Sequence, residues 1–190
     1  AQAVRTFAAA MGIARPGTRV VVRGGRLFEP LHVMSSGTPA EPIVIAPFEG
    51  ETVRIIRVDS TYRGEAYGPI WLDEVSNVIV SGFTVADSVG FGRILGGGNN
   101  RIEDCQFEGT RLGLGSESKR GGLYVAHSDG NVFRGNLFQS GTDSLTLVAS
   151  DRNVIEDNRF VDAGHTTLAL KCSSHNLSLI HISEPTRPVM

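Results

Sequence analysis

Asn153-Val-Ile-Glu-Asp-Asn-Arg-Phe160 repeats an arrangement already written as Asn131-Val-Phe-Arg-Gly-Asn-Leu-Phe138 and, earlier still, as Asn100-Arg-Ile-Glu-Asp-Cys-Gln-Phe107. Aligned and stepped back one further coil, they put Ile155, Phe133, Ile102 and Val80 in one column and Phe160, Phe138, Phe107 and Val85 in another, at steps of 22, 31 and 22 residues. A second block keeps the same register, with Leu168, Leu145, Leu123, Gly92 and Ile70 in one column and Leu170, Leu147, Val125, Ile94 and Leu72 in the next. A fixed period of this size marks a repeat architecture, whose units bury their apolar faces only by stacking on one another. Helix-pair repeats are longer and need strong helix formers, which are missing here.

Within each unit apolar and polar residues alternate, as in Leu145-Thr-Leu147 and Leu168-Ala-Leu170, the period-two mark of a strand buried on one side. A coil of about 22 residues holds three short strands around a triangular section, with successive coils about 4.8 Å apart by strand pairing. The expected fold is all-β, a right-handed single-stranded parallel β-helix. The column Asn158, Asn136, Cys105, Phe83 fits corners of such a coil, because an inward Asn bonds backbone groups that the bend leaves unpaired, and stacked copies bond each other.

The 190 residues suit one domain, and 41% apolar against 20% charged residues is a globular composition, with 23 Gly for the many turns. A formal charge of −2 offers no general attraction to nucleic acid, which is excluded as a partner, and no stretch of 18 apolar residues calls for a membrane. Oligomeric state is not legible. Cys105 and Cys172 fall three coils apart, about 14 Å by strand spacing, so both are expected as free thiols.

Val4, Phe7, Ala8 and Met11 follow helical spacing before Pro16-Gly17, which predicts a capping helix over about residues 2–12, shielding the apolar end and strand edges of the first coil. Residues 1–177 are then one β-helix domain. After Asn176, Ser178-Leu-Ile-His-Ile-Ser-Glu-Pro-Thr-Arg187 leaves the register and resembles translated sequencing-adapter sequence at the end of a metagenomic fragment, so that 178–190 reads as a non-native tail on a truncated chain; the rival reading is a genuine capping tail. No signal peptide stands at Ala1.

Pro16-Gly-Thr-Arg-Val-Val-Val-Arg-Gly-Gly25, Ser36-Gly-Thr-Pro-Ala-Glu-Pro-Ile-Val-Ile45 and Phe48-Glu-Gly-Glu-Thr-Val53 resemble the opening coils of the pectate-lyase-like superfamily, most of all bacterial polysaccharide lyases that cleave pectate or alginate. The resemblance runs from residue 16 to about 176 and its motifs are mostly structural, so the function it implies is analogy. It implies a polysaccharide partner, a secreted or periplasmic protein, and a Lys or Arg base that takes the proton α to a uronate carboxylate while Ca²⁺ or a basic side chain neutralises that carboxylate. Leu168-Ala-Leu-Lys-Cys-Ser-Ser-His-Asn176 is similar to the Lys-Ser-Ser-x-Asn segment of the alginate-type lyases, but that pattern places Lys at the position of Cys172, and a shift of one residue turns Lys171 to the other face of a strand. The pectate-type lyases gather Asp residues as a Ca²⁺ site. Here the outward column Ser81, Glu103, Arg134, Glu156 alternates in charge, which reads as salt-bridge stacking, so no metal or other cofactor is assigned and Ca²⁺ is an implication of the resemblance alone.

The step from Arg101 to Val132 is 31 residues, nine more than a coil, and locates an insertion between Phe107 and Leu123. Functional groups on repeat scaffolds tend to sit on such loops. The insertion carries Arg111, Glu117, Lys119 and Arg120, and the register sets Arg120 in a column with Thr142 and His165, beside the column of Asp143 and Thr166. Lys119, Arg120, Asp143 and His165 are therefore the candidate acid–base group. The alternative is an Arg120–Asp143 surface ion pair, a His165 that caps a turn after Gly164, and a solvated loop. The outward column Trp71, Arg93, Tyr124, Thr146, Ala169 is the candidate sugar-binding row, because aromatic faces beside Arg stack on sugar rings; in the rival reading a loop covers it. The five histidines show no metal-ligand spacing, His127 reads as a packed residue, and Gly96-Gly-Gly98 opens no helix that would cradle a phosphate.

The expected function is a carbohydrate-active β-helix protein, a polysaccharide lyase acting on a uronate polymer by β-elimination with Lys119 or Arg120 as base, His165 and Asp143 in support, and Trp71, Arg93 and Tyr124 along the cleft. The alternative is a non-catalytic carbohydrate-binding or surface-adhesion β-helix. A glycoside hydrolase requires a carboxylate pair that the sequence does not place.

Overall fold

Alternating runs such as Val78-Ile-Val-Ser81 turn every second side chain inward, and the coil closes because corner residues reverse the chain between them. In the computed structural model, which describes residues 3–56, 60–62, 65–110, 122–139, 143–179 and 182–184, these strands stack into three parallel sheets. The first holds Arg19–Val22, Ile43–Pro47, Val78–Ser81, Arg101–Glu103, Val132–Arg134, Val154–Glu156 and Leu177–Leu179; the second begins at Gly25–Leu27 and Val53–Ile56 and continues through Phe83–Ser88, Gln106–Thr110, Leu137–Gln139, Arg159–Val161 and Ile182–Glu184. The third, which carries the candidate residues, runs Leu31–Val33, Ile70–Asp73, Gly92–Leu95, Leu123–Ala126, Asp143–Val148, Thr166–Lys171. The architecture is a parallel β-helix, and the columns read from the sequence are its strand pairings: Val80, Ile102, Phe133 and Ile155 are successive partners in the first sheet, and Val85, Phe107, Phe138 and Phe160 in the second.

Where an inward column repeats one residue type, like stacks on like. The rings of Phe107 and Phe138 lie parallel with centroids 4.8 Å apart, and Phe138 and Phe160 follow at 5.1 Å, so the aromatic ladder has the spacing of the strands themselves. These side chains belong to one core cluster that runs the length of the coils.

The corners are held by two asparagine ladders. In one, Asn136 Oδ1 accepts the N–H of Cys105 at 3.0 Å and Asn158 Oδ1 accepts that of Asn136 at 2.9 Å, as the column Asn158, Asn136, Cys105 predicted. The other is made of the motif-opening residues, whose side chains the sequence reading left unused: Asn100, Asn131, Asn153 and Asn176 each accept the N–H of the residue one coil earlier, at 3.1, 3.0, 2.8 and 2.8 Å. Other corners need left-handed backbone, which stacks in columns too. Glu74, Gly96, His127, Ala149 and Cys172 form one, with φ of 56°, 67°, 51°, 46° and 50°. His127 is thus an exposed corner residue, and the expectation of a packed side chain does not hold.

Helix α1 spans Phe7–Ile13, with Thr6 as N-cap accepting the N–H of Ala9 at 3.1 Å. It packs on the first coil through Phe7, Ala10 and Met11, with Phe7 edge-on to Phe83 at 6.2 Å. The helix thus begins later than expected: Val4 lies before the cap and is 38% exposed, and Ala10, not Ala8, completes the buried stripe because the i, i+3, i+4 set is counted from Phe7. Both thiols are free, Cys105 buried and Cys172 exposed. At the other end, backbone pairing continues past Asn176 while the alternation inverts: Ser178 pairs with the inward Ile155, and Leu177 and Leu179 are 49% and 42% exposed.

Candidate functional site

On the third sheet Leu72, Ile94, Val125, Leu147 and Leu170 share one register column, and the first four are fully buried, so the residues between them face outward. Register then places His32, Trp71, Arg93, Tyr124, Thr146 and Ala169 in a single outward row across six coils. The row is not an open platform. Arg93 is 1% exposed and Thr146 3%, while Trp71 and Tyr124 are half-buried.

Arg93 occupies its expected place but is turned to an internal task. Its guanidinium lies 3.8 Å from the centroid of the Trp71 ring, and its Nε donates to Asp73 Oδ1 at 3.0 Å while Nη2 donates to Oδ2. His32 meets Trp71 edge-on at 5.3 Å and brings Nε2 to 3.3 Å from Asp73 Oδ2, and the indole N–H donates to the carbonyl of Gly68. Trp71 is therefore clasped between a guanidinium and an imidazole, and Arg93 binds Trp71 and Asp73 rather than presenting a charge to a ligand. Asp73 and His32 escaped the sequence reading, although Asp73 stands two residues after Trp71 and so faces the same way.

Of the four acid–base candidates, the fold brings two together. Asp143 pairs with Thr166 across the coils as the register required, and the carboxylate Oδ1 of Asp143 lies 2.7 Å from Nδ1 of His165. The Asp143 side chain is 3% exposed and that of His165 67%. A buried carboxylate accepting from Nδ1 sets the tautomer and turns Nε2 toward solvent, which is the arrangement of an oriented proton-transfer group. Thr166 Oγ1 also approaches Nδ1, at 3.0 Å. Lys119 and Arg120, with Arg111 and Glu117, lie outside the described residues. Lys171 ends the last strand of the sheet as an exposed residue, and Cys172 follows at the corner.

Several carboxylates elsewhere are engaged by arginines. Glu156 and Glu103 flank Arg134, Glu103 also takes Arg101, and Asp129 takes Arg152, so the outward column is the salt-bridge stack that its alternating charge predicted. Asp151, in a corner, accepts the N–H of Ser174 at 2.7 Å, which holds its carboxyl below the ordinary range. Among the described residues no three His, Cys, Asp or Glu side chains converge as metal ligands. A Ca²⁺ needs several convergent oxygens, and the described carboxylates, which do not converge, do not fit one.

The right handed beta helix region family matches residues 70–183. The uncharacterized protein YwoF of Bacillus subtilis (strain 168) is 36% identical over 84 residues, which are 44% of this chain and 18% of that protein, so the chain spans only a small part of that relative. Among solved structures, the alginate lyase from Paenibacillus sp. str. FPU-7 superposes with a TM-score of 0.66 at 12% identity, covering 91% of this chain and 72% of that one. A rhamnogalacturonan lyase superposes with a TM-score of 0.57 at 15% identity, covering 94% and 61%. At such identities the likeness is one of fold.

Proposed function

The chain belongs to the right-handed beta helix family, and from that premise we propose that it is a carbohydrate-active protein that cleaves a uronate-containing polysaccharide by β-elimination. The observation that carries the reading is the Asp143–His165 pair: a carboxylate shielded from water, at 2.7 Å from an imidazole whose other nitrogen is open. The fold shared with an alginate lyase and a rhamnogalacturonan lyase supports the substrate class. In the reaction Lys119 or Arg120 takes the proton α to the uronate carboxylate, a carbon–carbon double bond forms as the bond to the glycosidic oxygen breaks, and His165, oriented by Asp143, returns a proton to the departing oxygen. Tyr124 and the exposed part of Trp71 line the cleft.

A polymer substrate places the protein outside the cytoplasm, secreted or periplasmic; among the described residues no helix is long and apolar enough to cross a membrane. The test is incubation of the full chain with pectate and with alginate, with and without Ca²⁺, following the absorbance of the unsaturated product. No product from either polymer sinks the reading. A second reading, a carbohydrate-binding β-helix without catalysis, is favoured by the outward aromatic row, in which Trp71 and Tyr124 stay half-buried rather than closed over. Saturable binding with no product would select it.

A further inference from the structure

Helix α1 closes the apolar end of the coils, but the first sheet still ends on a strand with one neighbour: Arg19–Val22 pairs with Ile43–Pro47 and with no other described strand. The N–H of Val44 donates to the Thr18 carbonyl at 3.0 Å and that of Phe48 to the Val22 carbonyl at 2.8 Å. Backbone groups alternate sides along a strand, so Thr18, Val20 and Val22 turn theirs to the neighbour, and Arg19 and Val21 turn N–H and C=O to the open edge. A groove of about 550 Å³ lies along this edge. Phe7, Ala10 and Ile13 of the helix form its wall, and Val20, Val22 and Leu27, which pack on the core, form its floor. Exposed apolar side chains gather here. Ile13 is 54% exposed, Val21 47% and Val4 38%, all lining the groove, whereas between Phe48 and Leu170 no described large apolar residue is exposed. A charged residue such as Arg19 is an ordinary guard against edge-to-edge aggregation, but a guard needs no apolar groove beside it.

We propose that this edge takes an extended peptide strand of a partner protein, with apolar side chains alternating with acidic ones, laid against Arg19–Val22 beside helix α1. Backbone pairing to Arg19 and Val21 gives affinity and the alternation gives selectivity, the mode by which a peptide extends a sheet. Four added residues run the length of the edge strand, about 13 Å. Their period of two sends one set of side chains onto Val20, Val22 and Leu27 and the other to the outer side with Arg19 and Val21, so one face of the peptide is apolar. The charge of the other face follows from the rim, where Arg5, Arg19 and Arg23 stand against the single acid Glu29. Arg23 is held by Glu51, with Nε donating at 2.9 Å, but Arg5 and Arg19 are exposed and have no carboxylate partner among the described residues. A carboxylate at an outward position of the peptide meets those guanidiniums. The proposal is independent of the chemistry assigned to Asp143 and His165, which stand on later coils of the third sheet.

The test uses the full chain and a capped hexapeptide of alternating glutamate and valine, followed by calorimetric titration and by amide hydrogen exchange resolved to single residues. Binding should saturate and slow exchange at the N–H groups of Arg19 and Val21. Val21→Pro removes an N–H that faces the open edge and takes no part in the pairing with Ile43–Pro47, so Tm should hold while affinity falls about 10-fold or more. Val20→Pro, which deletes a paired N–H, should lower Tm. Arg19→Glu should weaken the peptide about 3- to 10-fold, and a lysine–valine peptide should regain the loss. No binding, undiminished affinity in Val21→Pro, or protection that spares Arg19 and Val21 overturns the proposal. If Val21→Pro does not fold, the charge reversal at Arg19 and the protection pattern decide. A groove that takes dodecanoate and not the peptide is an amphiphile site, and protection of the same amides that grows with protein concentration in the absence of peptide assigns the edge to a second copy; either result overturns the peptide reading.

Discussion

Asn136→Ala should be among the most damaging single changes in the chain. The side chain is 1% exposed and makes three hydrogen bonds: Oδ1 accepts from the N–H of Cys105 at 3.0 Å, and Nδ2 donates to the carbonyl of Ile102 at 2.9 Å and to Asn158 Oδ1 at 3.0 Å. Alanine leaves the Cys105 N–H buried with no acceptor, removes one donor from Ile102, and opens a small cavity. Asn158 Oδ1 keeps the backbone N–H of Asn136 and loses less. One orphaned donor costs about 1–3 kcal/mol, and with the carbonyl and the cavity the total is about 2–4 kcal/mol. For a chain of this size that lowers Tm by about 5–12 °C. The same column supplies a control of opposite sign. Cys105 sits where an Asn would extend the ladder, and its Sγ lies 3.9 Å from the carbonyl of Val80, the counterpart of the Ile102 and Phe133 carbonyls that Asn136 and Asn158 reach at 2.9 and 2.8 Å. Cys105→Asn is therefore expected to be neutral or to stabilise by about 1 kcal/mol. Urea unfolding followed by far-UV circular dichroism measures both, with coincident transitions by tryptophan fluorescence guarding against coil-by-coil unzipping. An Asn136→Ala change smaller than about 0.5 kcal/mol, or a Cys105→Asn protein less stable than the parent, would refute the ladder as the source of corner stability.

Thiol titration under native conditions should show one fast cysteine, the exposed Cys172, and one that reacts only on unfolding, because burial pushes the Cys105 thiol up to about 12; two equal fast phases would contradict this. Asp151 is held below its ordinary value of 3.8 by the Ser174 N–H, so its contribution is present at neutral pH and is lost as pH falls from there through the lower folded value; Asp151→Asn should shrink the difference in urea midpoint between pH 7 and pH 3, and an unchanged difference would refute the assignment. For the proposed reaction, Asp143→Asn and His165→Gln should each lower kcat by about 100- to 10,000-fold while KM moves little, measured by product absorbance; a loss below tenfold removes the pair from the chemistry.

The pairing of every central strand was legible because register in a β-helix is a matter of counting. Ile155, Phe133, Ile102 and Val80 had to stack once the period was known, and the insertion before Leu123 shifted the count by nine without breaking it. The meeting of Asp143 and His165 was legible for the same reason, since their columns adjoin. The second asparagine ladder was visible as a column of identical residues at the motif starts, and its chemistry followed from the same reasoning applied to Asn136 and Asn158. Helix α1 was harder, because Val4, Phe7, Ala8 and Met11 and Phe7, Ala10 and Met11 both have helical spacing, and only the cap at Thr6 decides where the count begins.

The outward row of the third sheet marks a different kind of limit. Period-two alternation says which side of a strand a residue faces and nothing about what lies above that side. Trp71, Arg93, Tyr124 and Thr146 all face outward as counted, yet Arg93 and Thr146 are as buried as the core. What distinguishes these two lies in their partners. Arg93 is closed by Asp73, a carboxylate two residues from Trp71 and therefore recoverable from the sequence as an i, i+2 neighbour on the same face. No described polar group closes Thr146 or Ser144. A buried cation with a bidentate carboxylate is architecture, whereas the buried hydroxyl of Thr146 has no partner among the described residues, and that contrast separates the end of the row near His32 from the end near His165.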